Sequence, residues 1–111
     1  MTRTTGVPDV TDADFTTQVL QSPIPVLVQF TAVWCGPCRM LKPVLADIAR
    51  EQTGRLKVVQ IDVDANQQTT HRYTVLATPT LMVFRDGEPV LSTVGAKPKA
   101  RLLRELADVL D

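Results

Sequence analysis

The stretch that most limits how this chain can fold is Val26 to Ala32, six apolar or β-forming residues around a single amide, Gln29. Its apolar residues run on instead of alternating, so a strand here must be covered on both faces. Such a strand needs helical layers against it, and the following segment supplies one. Met40, Leu41, Val44, Leu45, Ile48 and Ala49 recur at helical spacing, and the pattern stops near Gly54. Pro43 lies inside that pattern and predicts a kink. Leu56 to Val63 is a second apolar run, again broken by one amide, Gln60. Two buried strands joined through a helix predict a parallel pair with a right-handed crossover.

The remaining segments fit around that unit. Met1 to Gly6 is polar and is expected to be flexible, with residues 7–111 forming a single domain. Val7 to Val10 reads as an edge strand at best, because Pro8 cannot donate to a ladder. "TDADF" opens a helix in which Thr11 and Asp14 make a box-like cap and Phe15 shares a face with Val19. Pro23 and Pro25 end it. Asn66 to Tyr73 predicts a short polar helix. In "TLMVFRDGEPVLSTV" two β-rich runs flank Asp86-Gly87, a pair suited to the positive φ angles of a tight hairpin. Leu102, Leu103, Leu106 and Leu110 form the stripe of a last helix opened by Pro98. Lys97, Lys99 and Arg101 place positive charge at the positive end of its dipole, so its first turn is expected to fray. The fold class is α/β: a small mixed sheet of four to five strands flanked by about four helices.

Composition removes several functions. Among 111 residues, twelve basic and twelve acidic side chains cancel, which gives no electrostatic case for a nucleic-acid or anionic-membrane partner. The first ten residues, "MTRTTGVPDV", lack an apolar leader core, and no apolar run approaches the ~20 residues of a membrane span. The expected location is therefore cytoplasmic. There, two cysteines in CxxC spacing argue for metal or redox chemistry and against a structural staple. Zinc asks for four ligands, whereas this chain offers two thiols and the distant His71. His71 reads as a solvated residue, Asp62 and Asp64 as caps of a strand exit, and no metal is expected.

"WCGPC", Trp34 to Cys38, follows the first buried strand and opens the long helix. A thiol-disulfide exchanger needs one thiolate to attack and a second thiol to close onto it. Residues three apart in a first helical turn share a face, near enough for a disulfide after small movements. Cys35 would sit at the helix N-terminus, ionised and uncovered, where unpaired N–H groups and the dipole favour an anion. Moving its pKa from about 8.5 toward neutrality takes roughly 2 kcal/mol of differential stabilisation and raises the thiolate fraction about tenfold. Gly36 leaves the approach to Cys35 open, and Pro37 suits a helix start. Arg39 and Lys42 read first as solvated helix residues and second as stabilisers of the thiolate.

These motifs resemble the thioredoxin family across nearly the whole chain. "FTAVWCGPCRMLKPVL" is similar to its active-site strand and kinked helix, "IDVDAN" to the second strand and its exit. "TPTLMVFRDGE" is similar to the segment carrying its cis-proline and hairpin, and "VGA" to the loop facing the cysteines. The resemblance implies that Cys35 is the nucleophile and Cys38 the resolving thiol. It implies that Pro79 is the cis-proline against the disulfide and that the Thr78 backbone pairs with an extended substrate. Trp34, Ala77, Val94, Gly95 and Ala96 would complete a flat apolar docking surface. It further implies a monomeric protein-disulfide reductase without bound cofactor, acting on disulfide-containing client proteins. A flavin-dependent thioredoxin reductase using NADPH would regenerate it, and Gly36-Pro37 resembles the reducing end of the family.

Two positions depart from that pattern. The family usually buries an aspartate where this chain has Gln29, as proton acceptor for the resolving cysteine, and pairs it with a lysine where this chain has Gln60. Two neutral amides avoid the cost of a lone buried charge and can hydrogen-bond each other, backbone or water. Glutamine accepts no proton at neutral pH, so resolution is expected to be slower and more pH-dependent than in a typical family member. The missing pair also keeps a second reading open, a thioredoxin-like binding or chaperone subunit with incidental redox activity. The intact "WCGPC" speaks for the enzyme.

Overall fold

In the computed structural model, which describes residues 7–110, β1 (Val26–Thr31) lies inside a four-stranded sheet. It runs parallel to β2 (Lys57–Asp62) and antiparallel to β3 (Thr80–Arg85), and β4 (Glu88–Val94) pairs antiparallel with β3. The register sets Gln29 beside Gln60 on one side and Leu81 on the other. The expected flexible segment 1–6 lies outside the described residues. Every β1 residue from Val26 to Phe30 is buried, which is the two-sided covering that its unbroken apolar run demanded.

The two faces hold separate cores. Leu27, Val58, Leu81 and Val83 meet Leu41, Leu45 and Ile48 of α1 (Gly36–Glu51) and Leu102 and Leu106 of α3 (Lys99–Leu110). On the opposite face Val28, Phe30, Ile61 and Phe84 pack with Phe15 and Val19. There Phe15, Phe84 and Tyr73 form a ring cluster with centroids 5.0–5.8 Å apart. Tyr73 follows α2 (Gln67–Arg72). The long helix α1 continues through Pro43 to Glu51.

Local chemistry explains the departures from expectation. Residues 7–10 form no strand but a single parallel bridge, Asp9 to Gln60. In it the Gln60 N–H donates to the Pro8 carbonyl (3.0 Å) and the Val10 N–H to the Gln60 carbonyl (2.8 Å). Thr11 does not cap a helical N–H. The other half of the expected box does form: its own N–H donates to the Asp14 carboxylate at 2.6 Å. The helix that follows is a π-helical turn, Thr16–Leu20, closed by the Gln21 N–H reaching back five residues to the Thr16 carbonyl.

Asn66 stands at the N-cap of α2 without capping it through its side chain. The carboxylate of Asp12, more than fifty residues earlier, accepts the Thr69 and Gln68 N–H groups at 2.9 and 3.2 Å. The Asp12 N–H in turn donates to Asn66 Oδ1 at 2.9 Å. The hairpin turn has φ of 53° at Asp86 and 81° at Gly87, both positive as the sequence predicted. At the start of α3, Lys99 pairs with Glu51 and Arg101 with Glu105, so part of its ill-placed positive charge is compensated.

Candidate active site at the start of the long helix

β1 ends at Thr31, and a short turn delivers Cys35 to the N-cap of α1 in an extended conformation, φ −96° and ψ 104°. Three-residue spacing then places the Cα atoms of Cys35 and Cys38 5.3 Å apart, and the two sulfurs are joined in a disulfide. Gly36 and Pro37 form the first helical positions, where Pro37 forfeits an N–H that has no helical acceptor. The Cys38 N–H does have one: it donates to Cys35 Sγ at 3.2 Å. A sulfur thus occupies the place that capping oxygens take at other helices, where an anion is favoured.

The expectation of an uncovered Cys35 does not hold for this oxidised state, in which the residue is 3% exposed. Its sulfur is bonded to Cys38 and turned over the helix end, and both cysteines pack with Ala32 and Val63.

Gln29 lies beneath this turn, fully buried on the α1 face of the sheet. Its Nε2 donates to the Cys38 carbonyl at 3.3 Å, while its Oε1 has no partner among the described residues. Gln60, its neighbour in register, turns the other way and donates Nε2 to the Asp9 carboxylate at 2.8 Å. The Gln60 Oε1 is likewise buried and unpartnered. Of the bonds open to these amides, one goes to backbone and one to a carboxylate that the sequence reading did not foresee; neither goes to the other.

Around the disulfide, Trp34 is 65% exposed and Val33 79%. Trp34, Ala77 and Thr78 line a shallow groove of about 130 Å³ together with Val75 and Leu76. The Thr78–Pro79 peptide bond is cis, and the Pro79 carbonyl accepts the Gly95 N–H at 2.9 Å, which ties the end of the hairpin to this loop. Val94 and Ala96 flank Gly95 and are exposed. His71 is exposed too, and among the described residues no group of three or more His, Cys, Asp or Glu side chains could hold a metal ion.

This arrangement is a CxxC disulfide capping the helix that follows a central strand, and the chain around it is similar to a known family. The thioredoxin family model matches residues 6–108. The thioredoxin of Mycobacterium tuberculosis (strain ATCC 25618 / H37Rv) is 55% identical over 91% of this chain and 87% of its own length. The chain belongs to the thioredoxin family. The thioredoxin of Mycolicibacterium smegmatis is 53% identical, over 91% of this chain and 92% of its own. A bifunctional thioredoxin reductase/thioredoxin of Mycobacterium leprae (strain TN) is 51% identical over 92% of this chain, which spans 22% of that protein.

As a thioredoxin-family member with its CxxC pair in place, the protein is a thiol-disulfide oxidoreductase. Three residues around the thioredoxin site escaped the sequence reading. Asp64 accepts the indole N–H of Trp34 at 2.7 Å, whereas only Asp62 serves as the strand-exit cap, through the Asp64 and Ala65 N–H groups. Leu76, 89% exposed beside Ala77, continues the apolar rim. It stands directly before the "ATPT" segment, so exposure of an apolar residue there was open to reading. Asp9 carried no such mark, because it meets Gln60 through an isolated bridge and a side-chain bond across more than fifty positions.

Proposed function

We propose that this oxidoreductase reduces disulfides of client proteins with Cys35 as nucleophile and Cys38 as resolving thiol. Cys35 attacks one sulfur of the client disulfide, forming a mixed disulfide and releasing the other client sulfur as a thiolate. Cys38 then attacks Cys35, the client leaves reduced, and the pair is left oxidised. The observation that carries the assignment is the asymmetry of the turn: Cys35 Sγ receives a helix-terminal N–H, and Cys38 stands behind it over Gln29. A thiolate at position 35 is stabilised by that donor and by the dipole.

Gly36 and Pro37 set the tightness of the redox turn. Trp34, Ala77, Thr78, Pro79, Val94, Gly95 and Ala96 offer the docking surface, with the extended client pairing along the Thr78 backbone. Electrons come from an NADPH-dependent flavoprotein thioredoxin reductase. The bifunctional relative, whose name joins the two activities, supports that partner. We place the protein in the cytoplasm as a monomer, with residues 7–111 as one domain and with no nucleic-acid or membrane partner.

The test is a trapping experiment. Reduced Cys38→Ser protein mixed with a disulfide-bonded client should accumulate a stable mixed disulfide through Cys35, and Cys35→Ser should accumulate none. Wild-type protein should consume NADPH through the reductase. If Cys35→Ser traps client as well as Cys38→Ser does, the roles are wrong; if wild type consumes no reductant, the protein is a binding module.

A further inference from the structure

We propose that Arg39 and Lys97 discriminate among clients, favouring a disulfide whose cysteine is flanked by acidic side chains. The proposal rests on Cys35 as the attacking sulfur and on the docking surface given above. Each cation is tied to a backbone carbonyl of that surface. Arg39 Nη1 donates to the Val33 carbonyl at 3.0 Å, and Lys97 Nζ to the Val94 carbonyl at 2.6 Å. Neither side chain forms an ion pair among the described residues.

Both bonds fold a long side chain back beside a glycine. A Cβ added at Gly36 would stand 4.0 Å from Arg39 Nη2, and one added at Gly95 would stand 3.8 Å from Lys97 Nζ. Gly36 directly follows the attacking cysteine, and the Gly95 N–H binds the carbonyl of the cis-proline Pro79. The two charges therefore stand on separate segments of the surface that an extended client covers. A guanidinium and an ammonium carry more N–H donors than one carbonyl uses, so both stay open to a client carboxylate.

Neighbouring charges give the preference a direction. Arg39 and Lys42 of α1 share a cleft with Asp9 and Asp62, whose carboxylates balance it, and of those cations Arg39 alone reaches the turn, through Val33. Asp64 accepts the Trp34 indole N–H at 2.7 Å and keeps its negative charge, so it repels an acid on the Trp34 side. The favoured client directs its acids toward Arg39 and Lys97. Exposed charge pairs add little to final affinity, but they raise the rate of productive encounter. Anchoring each cation to a carbonyl beforehand lowers the ordering cost of that encounter.

The test measures attack by Cys35 in the full chain carrying Cys38→Ser, which stops at the mixed disulfide. The probes are peptides with a single cysteine, held as a thiopyridyl disulfide and flanked on both sides by Glu, by Gln or by Lys. The Cys35 thiolate bonds to the peptide sulfur, the bond to the pyridyl sulfur breaks, and thiopyridone leaves with the electron pair. Its absorbance gives the second-order rate. At about 0.01 M salt the Glu peptide should react about tenfold faster than the Lys peptide, with Gln between. Near 1 M, where the Debye length falls to about 3 Å, the ratio should drop below about twofold. Arg39→Gln or Lys97→Gln should each cut the low-salt ratio about threefold, and the double variant should flatten it. Changes in thiolate reactivity fall equally on all the peptides, and each peptide's own reactivity is the same for every protein variant, so the ratio isolates the contact. If one substitution prevents folding, the other still decides, since each cation carries its own loss. A low-salt ratio unchanged by neutralising the cations overturns the proposal, while thiopyridone release from the Gln peptide would still uphold Cys35 as nucleophile. No release from any peptide overturns both.

Discussion

Gln29 and Gln60 face each other in register on β1 and β2, yet each donates away from the other, to the Cys38 carbonyl and to the Asp9 carboxylate. Between them they leave two buried acceptor oxygens without a donor among the described residues. An orphan buried acceptor costs roughly 1–3 kcal/mol. The pair is therefore a polar site under the disulfide that neither carries charge nor satisfies itself.

Restoring charge at these positions tests what its removal did. Gln29→Asp with Gln60→Lys should speed resolution of the mixed disulfide at neutral pH by about tenfold, because a carboxylate would then stand beneath Cys38. Gln29→Asp alone buries a carboxyl with no cation beside it and should lower stability by up to about 3 kcal/mol. Equal resolution rates in the double variant and wild type would show that the amides are inert core. Gln29→Leu gives an independent reading. It removes one orphan oxygen and one long hydrogen bond, so the unfolding free energy from denaturant titration should change by less than about 1 kcal/mol.

Asp12 links stability to acid. Burial raises its pKa, but the side-chain and backbone hydrogen bonds from Thr69 and the Gln68 N–H outweigh that, and the net value lies below the ordinary carboxylate one. A depressed folded-state pKa stabilises the fold above the unfolded value and is lost as pH falls through the folded one. Unfolding followed by circular dichroism should thus show a stability loss in the acid range below the usual aspartate pKa. Asp12→Asn should be less stable than wild type near neutrality and should show a smaller acid loss. An Asp12→Asn curve parallel to wild type across that range would deny the linkage.

The hairpin gives a backbone prediction. Gly87 has φ 81°, and a Cβ there would come 3.3 Å from the Leu20 carbonyl oxygen. Gly87→Ala should therefore destabilise by about 1–2 kcal/mol through strain in the left-handed region, without changing redox turnover of the folded protein. A neutral effect on thermal unfolding would mean that the turn relaxes away from Leu20.

Much of this architecture could be read from short-range pattern, and what could not follows one rule. The unbroken run from Val26, the helical spacing after Met40 and Asp86-Gly87 act over a few residues, and each specified its element. The bonds of Asp12 to α2 and of Asp9 to Gln60 join residues more than fifty positions apart, and no local spacing announces them. The π-helical turn at Thr16–Leu20 differs from an α-helix only in which carbonyl the Gln21 N–H reaches, a choice that tertiary packing of Phe15 and Val19 makes. In the site, chemistry chose Cys35, Cys38 and Trp34, but the covering of Cys35 depends on the closed disulfide and on Ala32 and Val63 around it.

Trp34 carries the last prediction. Its indole is 65% exposed, and the indole N–H donates to the Asp64 carboxylate at 2.7 Å. A charge-assisted bond at an exposed site fixes the ring's orientation for about 1 kcal/mol, a factor of roughly five in an equilibrium. Asp64→Ala should release the ring over the groove it shares with Ala77 and Thr78. Client KM should then rise about fivefold with kcat little changed, since neither sulfur is touched. Trp34 is the sole tryptophan of the chain, so its emission reports the release directly. A changed emission with an unchanged KM would separate Trp34 from client docking, and an unchanged emission would mean that packing, not Asp64, holds the ring.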